Sequence, residues 1–148
     1  MIKIVSLRPF HVRVVLEQNE REGIILPMSG EDMIASYLSP GSLAVTMVAD
    51  GIPVACGGII NVGWSRGEAW ILTSSQSWFY RKSMVKEMKS RISELASQGG
   101  FHRVQATCFT PGREKFFRLL GFDLETEKGL AGYGPSGETA FMFARCYR

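Results

Sequence analysis

Cysteine and histidine are scarce in this 148-residue chain, at three and two residues. Cys56, Cys108 and Cys146 are far apart and form no C-x-x-C pair, and an odd number cannot all be bridged. A disulfide framework or a zinc site is therefore not what organises the fold. The cysteines are expected to act as small buried hydrophobes. His11 and His102 have no paired spacing, so no metal site is expected. No apolar run approaches the ~18–20 residues of a membrane helix. The start, Met1-Ile2-Lys3-Ile4-Val5, carries one lysine and no apolar signal core. The expectation is a cytoplasmic protein with no membrane contact. The chain also lacks internal repeats, linkers and low-complexity tracts. No G-x-x-x-x-G-K-[ST] and no G-x-G-x-x-G after a strand is present, which argues against those two nucleotide-binding folds.

What is present is an ordinary globular balance: 45% hydrophobic, 21% charged and 11% aromatic residues. The length suits a single domain over residues 1–148, large enough for one real core. Charge is unevenly placed. Residues 1–74 hold five Lys/Arg against seven Asp/Glu, and residues 75–148 hold twelve against seven. A basic second half points to an anionic ligand or partner.

The apolar pattern predicts a strand over Ile2–Leu7, then a helix from Pro9 to about Gln18 carrying Val12, Val15 and Leu16 on one face. A short helix with Met33, Ile34, Tyr37 and Leu38 is expected to stop at Pro40-Gly41. Leu43–Ala49 and Ile52–Ile60 read as strands joined by the tight-turn pair Asp50-Gly51. Gly57-Gly58 suggests a bulge or a close backbone approach. Ser65-Arg66-Gly67 is expected to turn into a third strand, Ala69–Thr73, completing an antiparallel meander. Val85, Met88, Ile92 and Leu95 mark the longest helix. Arg103–Phe109 follows as a strand, then a short helix opened by Pro111 and closed by Gly121, and last strands over Phe122–Thr126 and Ala140–Cys146. The order is β-α-α-β-β-β-α-β-α-β-β. It predicts an α/β (α+β) fold with a mixed, mostly antiparallel sheet and helices on both faces.

Chemistry is best placed where strand Ala69–Thr73 runs into the long helix. That helix opens with Arg81, Lys82 and Ser83, followed by Lys86, Lys89 and Arg91. Unpaired N–H groups and the helix dipole at such an end favour phosphate, and flanking cations strengthen the attraction. A solvated basic face is the plain alternative.

The element order and the run Phe116-Phe117-Arg118-Leu119-Leu120-Gly121-Phe122 resemble the GCN5-related N-acetyltransferase (GNAT) family across nearly the whole chain. The resemblance implies an acetyl-CoA-dependent N-acetyltransferase with a small-molecule or protein amine as acceptor. It implies that backbone near Leu72 and Thr73 bonds the pantetheine arm and that Arg81, Lys82 and Ser83 meet the pyrophosphate. Thr110 and Phe117 fall at cofactor-facing positions, and Glu68 falls where many members keep the general base, with His102 as an alternative. Two departures stand out. The stretch Phe79–Met84 lacks the glycines of the family's pyrophosphate loop. Phe117 occupies the place of the tyrosine that commonly protonates the leaving thiolate, which leaves Tyr80 or Tyr133 as donor.

Ala69–Trp78 followed by a basic helix also resembles acetyltransferase-like proteins of T7-type phages that associate with internal virion proteins. That likeness implies a phage source, the host cytoplasm as setting and a phage or host protein as partner. Trp64, Trp70, Trp78, Phe79 and Tyr80 are expected to cluster near the third meander strand, as core packing or as a cleft lining. Nucleic acid is a weaker alternative, since the basic residues lie mainly on one helix. A non-catalytic protein-binding or virion-assembly role on the same fold is the alternative function. The last strand is a possible pairing edge for a homodimer.

Overall fold

The computed structural model describes residues 2–20, 43–109 and 113–147. The short helix expected around Met33–Leu38 lies outside them, as do Thr110 and Pro111. The described residues form strands β1 (Ile2–Ser6), β2 (Leu43–Ala49), β3 (Ile52–Gly63), β4 (Arg66–Thr73), β5 (Arg103–Cys108), β6 (Asp123–Leu124) and β7 (Phe141–Cys146). Their helices are α1 (Pro9–Glu20), α2 (Arg81–Gly99) and α3 (Glu114–Leu119), with a 3₁₀ segment over Ser75–Tyr80. The strands make one sheet in the order β1-β2-β3-β4-β5-β7-β6. Only the β4–β5 pair is parallel, because α2 returns the chain to the starting edge between them.

Turn chemistry accounts for the meander. Asp50 and Gly51 both take positive φ, 49° and 81°, as a two-residue hairpin turn requires. The next turn falls on Trp64 and Ser65, at φ 52° and 55°. Arg66 and Gly67, expected in that turn, already belong to β4. Gly57 and Gly58 make no bulge. The register irregularities fall at Met47/Val48 and Asn61/Gly63 instead. The close approach is real: a Cβ on Gly58 would run into the Leu43 carbonyl, and one on Gly57 would stand 3.0 Å from the Trp70 carbonyl. The strand expected over Phe122–Thr126 shortens to Asp123–Leu124.

Helices cover both faces, each for a legible reason. On one face Val12 and Val15 of α1 meet Cys56 and Leu72 in a small core. On the other, Met84, Met88, Leu95 and Ala96 of α2 and Phe117 of α3 join Met47, Val54, Ile59, Val104 and Phe143. Each fully buried aliphatic side chain there contributes roughly 1.5–3 kcal/mol. Cys56 is buried, but Cys108 is half-buried and Cys146 exposed, so the expectation of buried cysteines holds for one of three. Among the described residues no helix is long and apolar enough to cross a membrane.

Candidate active site

β4 and β5 pair over only three positions, Arg66–Arg103, Gly67–Val104 and Glu68–Gln105. Beyond Glu68 the two strands part, and a gap opens in the middle of the sheet. The hydrogen-bond parity of β4 decides what faces it. The Ser74 amide donates to the Val54 carbonyl at 2.9 Å. Bonding direction alternates along an antiparallel pair. Ser74, Leu72 and Trp70 therefore direct their backbone groups to β3, and Ala69, Ile71 and Thr73 direct theirs into the gap. Of the two backbone positions expected to meet a ligand, Thr73 faces the gap. Leu72 pairs with Cys56, and its side chain is buried beneath α1.

Glu68 stands at the fork. Its Oε2 accepts from Gln105 Nε2 at 2.8 Å, and its Oε1 accepts from Thr107 Oγ1 at 3.0 Å. Gln105 is itself oriented, because its Oε1 accepts from Arg103 Nε at 3.1 Å. The Arg103 guanidinium forks onto Glu125, with Nη1 to Oε2 at 2.9 Å. That pairing holds the Glu125 carboxyl below its usual range and raises Arg103. The carboxylate at the fork is thus tied through β5 to the end of β6. Gln105 and Thr107 escaped the sequence reading. Their signal was there: Arg103, Gln105 and Thr107 alternate with Val104 and Ala106, the period-2 pattern of a strand with one polar face.

A cavity of about 250 Å³ opens on the gap, lined by Glu68, Ile71, Thr73, Ala106, Thr107 and Phe109 among others. Arg91 and Arg113 also line it. At the far end of β4 the chain makes its 3₁₀ turn and enters α2. The residue before α2, Tyr80, makes no side-chain cap to the helix. The side chains of Arg81, Lys82 and Ser83 in the first turn of α2 are exposed.

The other candidates are dispersed. Tyr80 Oη donates to Asp50 Oδ2 at 3.2 Å, and that bond raises the phenol's pKa. Asp50 adjoins Ile52 at one end of β3, whereas Glu68 pairs with Ile60. Those positions are roughly 25 Å apart along the strand, so Tyr80 and Glu68 do not share a site. Tyr133 lies nearer the gap, its ring 6.5 Å from that of Phe109. Phe117 is stacked on Phe143 at 4.4 Å and meets Phe116 and Phe122 edge-on, so it works as core while also lining the cavity. Thr110 lies outside the described residues. His102 donates its backbone amide to Ser65 beside the β3–β4 turn. Two of the aromatics expected to cluster, Trp64 and Phe79, stand apart at opposite ends of β4. Trp64, 85% exposed, sits at the β3–β4 turn with the Arg66 guanidinium over its ring. Phe79, 81% exposed, lies past the opposite end of β4.

A mixed sheet splayed at its one parallel pair, with α1 on one face and α2 and α3 on the other, is the fold of the GNAT acetyltransferases. Solved structures carry that statement. The GNAT-family acetyltransferase from Streptococcus pneumoniae superposes with a TM-score of 0.74 at 14% identity, over 100% of both chains. The ribosomal-protein-S18-alanine N-acetyltransferase from Escherichia coli gives 0.76 at 16% identity, over 99% of this chain and 94% of its own. The yncA protein from Salmonella typhimurium, solved with its cofactor acetyl-CoA, gives 0.75 at 10% identity, over 98% and 93%. No family model matches the sequence, and no curated protein does. At these identities the likeness establishes the fold.

Proposed function

We propose that this chain is an acetyl-CoA-dependent N-acetyltransferase acting on an amine, free or protein-borne. The observation that carries the reading is the gap between β4 and β5 with a carboxylate fixed at its fork. The extended arm of coenzyme A carries amides, and the gap offers amides of Ala69, Ile71 and Thr73 to bond it. The start of α2, with the cations Arg81 and Lys82, suits the pyrophosphate. Side-chain charge there takes the place of a glycine-rich loop.

Acetyl-CoA supplies an activated thioester carbonyl. Glu68 receives the proton that the acceptor nitrogen sheds on attack. Gln105 and Thr107 hold both carboxylate oxygens, so the base meets the incoming amine in one orientation. Glu68, Trp70 and Leu72 share a face of β4 with α1, so the acceptor approaches from that side of the sheet. Phe117 has no proton to give, and the departing thiolate takes one from water or from Tyr133.

The E. coli neighbour named above acetylates a protein's alanine, and a protein amine is one acceptor class this reading admits. A phage-encoded origin, with a cytoplasmic setting and a phage or host protein as partner, is a narrower reading resting on Ala69–Trp78 alone. A catalytically silent binding protein is the second reading, favoured by the ring of Phe117 where a donor is common. Incubation with acetyl-CoA and a panel of amines and peptides, followed by mass spectrometry, separates them. Acetylated product supports the enzyme. Coenzyme A binding with no product on any acceptor supports the silent protein.

A further inference from the structure

One row of residues crosses the sheet beside the gap. Val45 pairs with Gly57, and Gly57 pairs with Ile71. Paired residues point to the same face. This is the α2 face, because the adjoining pairs Met47–Ala55 and Ile59–Ala69 pack with Met84, Met88 and Leu95. Glycine at the centre, with alanines on the neighbouring rows, leaves a trough where a closed core would carry large side chains. Val45, Gly57, Ala69 and Ile71 accordingly keep partial exposure beneath a covering helix. The cavity that opens on the gap continues over Ile71 and Gly57 to Val45, with Met88 and Ile92 of α2 lining it too. Apolar voids of this kind are rare and costly in protein cores. The backbone amides that suit a pantetheine arm are in the gap, and the trough beyond it presents aliphatic and thioether groups.

We infer that the trough holds an acyl chain longer than acetyl, so that the donor class includes medium-chain acyl-CoA thioesters. The inference rests on the coenzyme A reading of the gap. From β4 to β2 is two strand spacings, about 9.5 Å, close to the extended length of an octanoyl chain. The chain lies on the α2 face, and the amine arrives from the α1 face, where Glu68 stands. The chemistry is unchanged by length: the nitrogen–carbonyl bond forms, the carbon–sulfur bond breaks, the amine proton passes to Glu68, and the sulfur leaves as coenzyme A thiolate.

The test is calorimetric titration of coenzyme A and of acetyl-, butyryl-, hexanoyl- and octanoyl-CoA into the wild type and Val45→Phe. Val45→Leu is carried alongside, and melting temperatures check that both variants fold. Each buried methylene is expected to tighten binding about two- to fourfold, so octanoyl-CoA binds at least about 50-fold more tightly than acetyl-CoA. Val45→Phe fills the far end. It is expected to remove at least tenfold of the octanoyl gain while acetyl-CoA binding stays unchanged, with Val45→Leu intermediate. Equal affinities across the series, with acetyl-CoA bound, overturn the trough and leave the coenzyme A site standing. Binding of no thioester overturns the coenzyme A reading itself. A chain-length gain untouched by either substitution places the chain elsewhere and overturns the assignment. Free octanoate binding as tightly as octanoyl-CoA makes this a fatty-acid site and also refutes it.

Discussion

Glu68→Gln isolates the charge of the base from its shape. The wild-type carboxylate accepts one bond on each oxygen, from Gln105 Nε2 and Thr107 Oγ1. Glutamine has the same outline but one acceptor oxygen and one NH₂. Gln105 cannot reverse, because its own oxygen is engaged by Arg103. The Thr107 hydroxyl can rotate and accept instead of donate. Both contacts can therefore be kept, with the new amide oxygen toward Gln105 and the NH₂ toward Thr107. The folding cost is then limited to exchanging charged for neutral hydrogen bonds, about 1 kcal/mol. General-base assistance is worth about a hundred- to ten-thousandfold in rate. The expected result is a fall of that size in kcat, unchanged acetyl-CoA affinity and a melting temperature within a few degrees. Thiol release with an accepted amine is the assay. Wild-type turnover in Glu68→Gln, with acetyl-CoA still bound, would refute the reasoning.

Three further outcomes follow from the same geometry. Phe117→Ala removes a ring stacked between core aromatics and should cost about 3–5 kcal/mol in urea unfolding. Tyr80→Phe should leave turnover within about twofold, since its hydroxyl is committed to Asp50 roughly 25 Å along the sheet from Glu68; a tenfold loss would restore it as the acid. His11 is buried, accepts at Nδ1 from the Arg8 amide at 3.1 Å and lies 2.8 Å from Thr46 Oγ1. Burial, aided by the Arg8 charge, holds its pKa below the usual 6.5. The neutral ring's stabilisation is full above about pH 6.5 and is lost as pH falls through the lower folded value. Urea midpoints should drop between pH 7.5 and pH 5, and His11→Gln should flatten that contribution.

Local chemistry explains which features could be read before the structure. Leu43–Ala49 and the Asp50-Gly51 turn carry their own instructions in β-branched residues and left-handed turn conformers. The stripe Val85, Met88, Ile92 and Leu95 likewise announces a helix that packs on one face. The second turn was misplaced because Trp64 and Ser65 are unusual in a positive-φ turn, and the expectation went to the flexible Gly67 instead. Glu68 was found only through family likeness. Its partners Gln105 and Thr107 are 37 and 39 positions away, a distance bridged by the parallel pairing of β4 and β5. That pairing, and its early end, depend on where α2 lands, which no local run encodes. Tyr80 enters as a candidate donor only because Phe117 stands where the family commonly keeps a tyrosine. Its hydroxyl bonds Asp50, 30 positions away, a contact that no local run encodes.

The central claim is that the β4–β5 gap and the start of α2 form a coenzyme A site. Calorimetric titration of acetyl-CoA into the wild type and into Arg81→Ala/Lys82→Ala tests it most directly. One saturable site is predicted, weakened about tenfold or more in the double variant through lost charge-assisted bonds, with the melting temperature unchanged. No heat and no thermal shift at millimolar acetyl-CoA would contradict the account.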